Sequence, residues 1–337
     1  MRHPIKALLS VAILAALLFV GYWFYTARSI ERSIASWFDA RATLGWQADY
    51  ASVETTGFPA TFDTVIRAPA LADPATGVAL TAPDLAIKAR SRRPNSVTMV
   101  LPQEALLATP LQKINLRDTA VSATLDVAPS LGFEVNAARV ALRELAVVSD
   151  LGWGFTLDRG TVDTQATEAG RDTLRSTFAL DGLAPTPAFK AQLDPRGLFP
   201  DRLTELSADV TTKFDTPWSL RAIETLRPQP ERIVISDFNA VWGDLALRAA
   251  GVLDIDGEGD PTGKLEVRME NWREMIRLGV ASGSIPADMA GLIEGTVGLI
   301  ARFGPNPERL DVTLNFTGGQ VFLGPIPLGP APKLVIR

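Results

Sequence analysis

Residues 7–27 carry no Asp, Glu, Lys or Arg and are mostly apolar. About 20 such residues are what an α-helix needs to cross the hydrocarbon core of a bilayer. The run is rich in Leu and Ala as far as Val20, pauses at Gly21, and closes on Tyr22, Trp23, Phe24 and Tyr25. Aromatic rings with polar edges favour the headgroup level, so this cluster predicts an interfacial belt at one end of the span. A buried core helix is the alternative for an apolar run, and the basic flanks argue against it. A secretory signal would end at a small-x-small cleavage site. Tyr25-Thr26-Ala27 and Phe19-Val20-Gly21 each place a large ring at one of the small positions. An uncleaved signal anchor is therefore expected. Arg2 and Lys6 precede the span and Arg28 and Arg32 follow it. That asymmetry is slight, but it favours residues 1–6 in the cytoplasm and the rest outside.

With 47% hydrophobic and 21% charged residues over 337 positions, the remainder reads as an ordinary globular chain. The formal net charge is −5 and no basic block stands out, so nucleic acid is not an expected partner. Cysteine is absent, which removes disulfides, thiol catalysis and thiolate metal sites. The one histidine is His3, ahead of the span. No mechanism that needs His as base or metal ligand fits the large domain. No cofactor is expected.

Three segments follow: the anchor at 1–27, an amphipathic helix at 28–44, and a β-rich domain at 45–337. In the second, Ile30, Ile34, Trp37, Phe38 and Leu44 recur at helical spacing between charged residues. From Trp46 the period becomes two, with Gly, Pro and Asp turns between short runs of Val, Thr, Phe and Leu. Val121, Ala123, Leu125 and Val127 alternate with Ser122, Thr124 and Asp126. Leu206, Ala208 and Val210 alternate with Ser207 and Asp209. The fold class expected is mainly β: an elongated, curved antiparallel sheet, groove or sandwich, with two or three amphipathic helices. Proline-rich breaks at 185–200 and 227–230 read as loops within one domain. Late in the chain, Asn271 looks like an N-cap with Glu274 as its capping-box partner. Pro286 looks like the start of a helix carrying Met289, Leu292, Ile293, Val297, Ile300 and Phe303 on one face. Gly291, Gly295 and Gly298 would give that helix a smooth stripe for close packing. The proline-rich end, 318–332, belongs on a sheet edge.

Trp46, Tyr50, Gly57-Phe58-Pro59, Phe62-Asp63, Pro69, Ala82-Pro83 and the closing 319–332 segment resemble domain-of-unknown-function family 2125 (DUF2125). The resemblance implies a membrane-anchored bacterial protein without an established activity, and it carries over no catalytic residue. The layout is also similar, more distantly, to AsmA-like envelope proteins. That likeness implies an inner-membrane, single-pass protein with its large domain in the periplasm, handling lipid or maintaining the envelope.

Candidate chemistry is sparse. Asp254, Asp256, Glu258 and Asp260 alternate around glycines as a calcium loop might require, yet the twelfth position from Asp254 is Leu265. An Asp/Gly turn between two strands is the plainer reading. The glycines at 291–298 lack the Lys-Ser/Thr ending of a phosphate loop. No carboxylate pair is nominated for hydrolysis. A dozen strands with one dry face each outnumber the helices that would cover them. Leu247, Leu253, Ile255, Leu265, Val267 and Met269 share one face of a hairpin and would line an apolar groove, if the sheet is open. The expected protein is thus not an enzyme. It sits in the inner membrane and holds lipid or an envelope protein; a structural scaffold without a small ligand is the alternative.

Overall fold

The structure, a computed structural model, describes residues 4–117, 121–128, 134–219, 222, 227–282, 285, 287–302 and 306–336. It is mainly β with antiparallel pairing, and it falls into two compact units, Met1–Thr124 and Leu125–Arg337. That division lies at neither of the proline-rich breaks, both of which fall inside the second unit.

The first unit begins with α1, Pro4–Thr43, one unbroken helix of 40 residues. At 1.5 Å per residue it is about 60 Å long. The anchor and the amphipathic segment are therefore one element. Gly45, at φ +86°, ends it by turning the chain out of the helix. Leu44 lies past the last turn and is 70% exposed, so it does not share the apolar face expected of it. That face consists of Trp23, Ala27, Ile30, Ile34 and Phe38, spaced three or four apart. Trp23 stacks on Phe62 at 5.5 Å between centroids, and its indole N–H donates to the Thr61 carbonyl at 2.9 Å. Burying an aromatic of this size contributes roughly 1.5–3 kcal/mol.

Among the described residues, nine strands lie wholly in this unit and form two leaves. One leaf is β2 (Ser52–Thr56), β3 (Thr61–Arg67), β6 (Asp84–Arg90) and β7 (Arg93–Val100), paired in that order. The other is β1 (Gln47–Asp49), β4 (Ala70–Asp73), β5 (Val78–Thr81), β8 (Glu104–Ala108) and β9 (Lys113–Arg117). The chain crosses between leaves at Tyr50-Ala51, Ala68-Pro69, Ala82-Pro83 and Leu101-Pro102. Backbone bonds continue through this crease: Ala68 N–H donates to Pro83 O at 2.8 Å, and Ala82 N–H to Pro69 O at 3.2 Å. A proline has no N–H for the ladder, so Pro69, Pro83 and Pro102 at three of the crossings mark where a flat sheet must end. A tenth strand, β10 (Ser122–Val127), spans the boundary between the units.

The second unit is a meander. Strands β11 (Val135–Ser149), β12 (Gly154–Thr167) and β13 (Gly170–Asp181) pair in sequence, and β14 (Ala184–Pro185) pairs with the start of β12. After the short helix α2 (Pro187–Leu193), the order continues through β15 (Glu205–Phe214), β16 (Pro230–Trp242), β17 (Leu245–Ile255) and β18 (Pro261–Glu270). Helices α3 (Trp272–Ala281) and α4 (Ala287–Arg302) intervene before β19 (Arg309–Thr317), β20 (Gln320–Leu323) and β21 (Ile326–Pro330) complete the sheet. The proline-containing β21 pairs only with β20, as an edge strand should. The wet face carries cross-strand ion pairs, among them Arg175–Asp209, Arg232–Asp254 and Arg268–Asp311. At such exposure solvent screens them, and they add little to stability.

Two local expectations change. Asn271 precedes α3 with φ +56° and caps nothing through its side chain; its amide donates to Asp244 O at 2.7 Å instead. A left-handed residue cannot aim its side chain back at the first turn. Glu274 is correspondingly drawn to Arg196 and Arg277. Of the three glycines of α4, only Gly298 faces a neighbour, since an added Cβ there would meet Trp272 at 3.6 Å, while Gly291 and Gly295 face open space. Pro286 and Phe303 lie outside the described residues.

Candidate functional site

The six residues expected to line a groove do share a face. Register pairs Leu247 with Met269, Ala249 with Val267 and Gly251 with Leu265. Their surroundings differ. Leu253 is buried with Phe316 and Ala331, and Leu265 packs against that cluster. Ile255 and Val267 are buried as well. Leu247, Met269 and its register partner Leu310 line a hollow of about 330 Å³ under α3 and α4, with Ile276 and Val297 on the helical side. Trp272 walls it, only 1% exposed, with its indole N–H on Pro307 O at 3.0 Å.

The acidic run at 254–260 is a turn. The Asp256 carboxylate accepts the N–H groups of Glu258 at 3.0 Å and Asp260 at 2.9 Å, which hold its pKa below the usual range. Asp254 pairs with Arg232 and Asp260 with Lys333. Among the described residues no group of three or more His, Asp or Glu is placed to hold a metal ion. A depression of about 330 Å³ on the wet face near Arg248, Arg268 and Asp311 is solvated sheet surface, where Arg268 pairs with Asp311.

The more distinctive site lies inside the first unit, in the angle of the creased sheet. It is a hollow of about 400 Å³, lined by apolar side chains throughout. Helix α1 supplies one wall through Ile34, Trp37 and Phe38. Register makes the opposite walls: Ile66 pairs with Leu85, Ile87 with Met99, and Leu71 with Leu80. Pro69, Ala82, Leu101 and Pro102 form its floor along the crease. Leu80 and Met99 remain 41% and 38% exposed, so the hollow is open to a ligand at that side. Thr64, two residues before Ile66 on β3, is buried and its hydroxyl lies 2.9 Å from that of Thr55. At the rim, Arg41 lies over the rings of Trp37 and Trp46 at 5.1 and 5.4 Å. The volume falls within the roughly 300–1,000 Å³ of small-molecule pockets.

The same helix that walls the hollow is long and apolar enough at its other end to cross a membrane. Val11, Ile13, Leu14, Leu17 and Leu18 are all more than half exposed, contact with the strands starts at Tyr22, and Trp23 is buried against them. Trp23 and Ala27, read from sequence as part of the span, are instead buried against Phe62.

The family described as uncharacterized protein conserved in bacteria, DUF2125, matches residues 23–332. The chain belongs to that family. The match starts at Trp23, which is buried against Phe62, so the DUF2125 region takes in the helical wall of the hollow together with the strands. No curated protein and no solved structure matches this DUF2125 chain.

Sequence reasoning missed the first hollow. Its lining comes from α1 and β3 through β8, and no single alternating segment announces it. The available signal was the Pro69, Pro83 and Pro102 series, each two residues past the end of a strand.

Proposed function

We propose that this protein is a non-enzymatic, membrane-anchored lipid-handling protein whose first unit takes an acyl chain into the hollow of its creased sheet. The observation that carries the reading is that α1, the helix with the bare apolar end, also forms one wall of that hollow. From Trp23 to Ile34 is 11 residues, or about 17 Å of helix. An acyl chain drawn along α1 would need to travel little further than that. An apolar hollow open to water is seldom left empty of apolar contacts. In this reading α1 spans the inner membrane once, residues 1–6 are cytoplasmic, and both β units are periplasmic. The distribution of histidine and cysteine supports a role without catalysis, because His3 is the only histidine and there is no cysteine. A second reading, a protein-interaction scaffold, is favoured by the closed packing of Leu253 with Phe316 and Ala331 in the second unit.

The test uses the full chain in lipid nanodiscs with a photoactivatable fatty acid, and maps cross-links by mass spectrometry. Cross-links at Leu80, Leu85 and Met99 are expected, and Met99→Trp, which fills the opening, should reduce them several-fold without lowering the melting temperature. Cross-links confined to residues 4–22 in both proteins would favour the scaffold.

A further inference from the structure

We infer that the turn between β6 and β7, together with the loop between β2 and β3, is a docking surface for anionic phospholipid headgroups of the bilayer that α1 enters. The turn reads Arg90-Ser91-Arg92-Arg93, and all three arginines are exposed. Lys88, two residues back on β6, is exposed too. None of these four cations has a salt-bridge partner among the described residues, in a chain that is acidic overall.

Their position on the fold gives the cluster its meaning. Ser91 donates its hydroxyl to Pro59 O at 2.8 Å and lies close to Ala60 O, which ties the turn to the loop after β2. The Tyr22 hydroxyl comes within 3.5 Å of Ser91 O, so the turn stands level with residue 22 of α1. That is where the bare apolar stretch of the helix ends. The hydrocarbon core is about 30 Å thick. Counting back from Tyr22, residues 4–22 supply about 28 Å of helix, close to one crossing. The arginine turn thus falls at the level of the headgroups.

Aromatic rings occupy the same level. Phe24 stacks on Phe58 at 5.7 Å, and Phe24, Phe58 and Tyr25 are 52%, 47% and 71% exposed. Rings of this kind gather at membrane interfaces. Beside the turn, Lys88, Arg90 and Arg93 border a shallow depression of about 450 Å³ that also presents Thr61, Ser96 and Thr98. Asp63 is the one carboxylate along it, and it accepts the Thr61 hydroxyl at 2.9 Å. Cations with hydroxyls between them suit a phosphate group. Lys88 and Arg90 are about 7 Å apart along the strand, comparable to the depth of one headgroup layer. Apolar rings at the boundary with cations just above it match an anionic leaflet, and each cation near such a surface adds about fivefold to binding.

This surface is separate from the acyl-chain hollow and shares with it only the premise that the bare end of α1 lies in a bilayer. Hydrogen–deuterium exchange on the full chain in nanodiscs tests it. Peptides covering residues 90–95 should exchange about tenfold more slowly in phosphatidylglycerol than in phosphatidylcholine. The difference should vanish in 0.5 M salt and in the triple variant Arg90→Gln, Arg92→Gln, Arg93→Gln. It should persist in the matching triple lysine variant and in Met99→Trp, which separates this result from the fate of the hollow. Peptides from β18 should be unaffected in all of them, confirming the fold. Equal exchange in the two lipids, or protection that survives the glutamine variant, would overturn the inference. So would slowing in phosphatidylcholine on adding inorganic phosphate alone, since a free anion would then suffice.

Discussion

At the residue scale, the crease depends on Ala68. It has φ +47°, a left-handed conformation that costs an L-residue roughly 1–2 kcal/mol. The side chain is exposed, so its methyl contributes no packing there. What holds it is the position between Arg67 on one leaf and Pro69 on the other, with its N–H bonded to Pro83 O. Ala68→Gly should therefore raise stability by about 0.5–1 kcal/mol, after allowing for the greater freedom of glycine in the unfolded chain. Thermal unfolding of the full chain in detergent checks this. A variant melting at or below the wild type would mean the crease carries no such strain.

At the scale of elements, the segment after β14 has an unexpected organiser. Asp194, directly after α2, is buried and accepts the N–H groups of Leu198 at 2.9 Å and Phe199 at 2.8 Å. Burial pushes its carboxyl pKa up, but these backbone donors, with Lys190 beside it, outweigh burial and hold it below the usual range. The loop it gathers places Phe199 5.0 Å from Trp242, whose indole N–H donates to Pro200 O at 2.8 Å. A depressed carboxylate stabilises the fold fully above its unfolded pKa near 4, and that contribution disappears as pH falls through the folded value. Asp194→Asn should cost about 1–3 kcal/mol at pH 7. The gap in melting temperature to the wild type should narrow as pH falls below the ordinary carboxylate range; a gap independent of pH would assign the loss to packing alone. This segment was the least legible in sequence, because its order depends on Trp242, some 40 residues away. Alternation was readable wherever one strand face is dry, as in Leu247 to Ile255 against Leu265 to Met269. It could not reveal which face meets a helix, which is why Leu253 and Leu247 looked equivalent and are not. Asn271 misled for the converse reason: its type suits a cap, while its backbone, set by the turn out of β18, forbids one.

At the scale of the whole molecule, the proposed topology puts the two β units on one side of the membrane and residues 1–6 on the other. A reporter that fluoresces only in the cytoplasm, fused after Arg337, should stay dark, and the same reporter fused before Met1 should be bright. The reverse pattern would invert the assignment of sides. The continuity of α1 has a further consequence. Proteolytic release of the β region after residue 27 would strip Trp23 and Ala27 from Phe62 and leave a severed helix as one wall of the hollow. Shedding would thus spill the protein's own interior into water. On the proposed topology, a shed fragment would therefore be less stable than the whole chain, because the helix it loses is part of its own core.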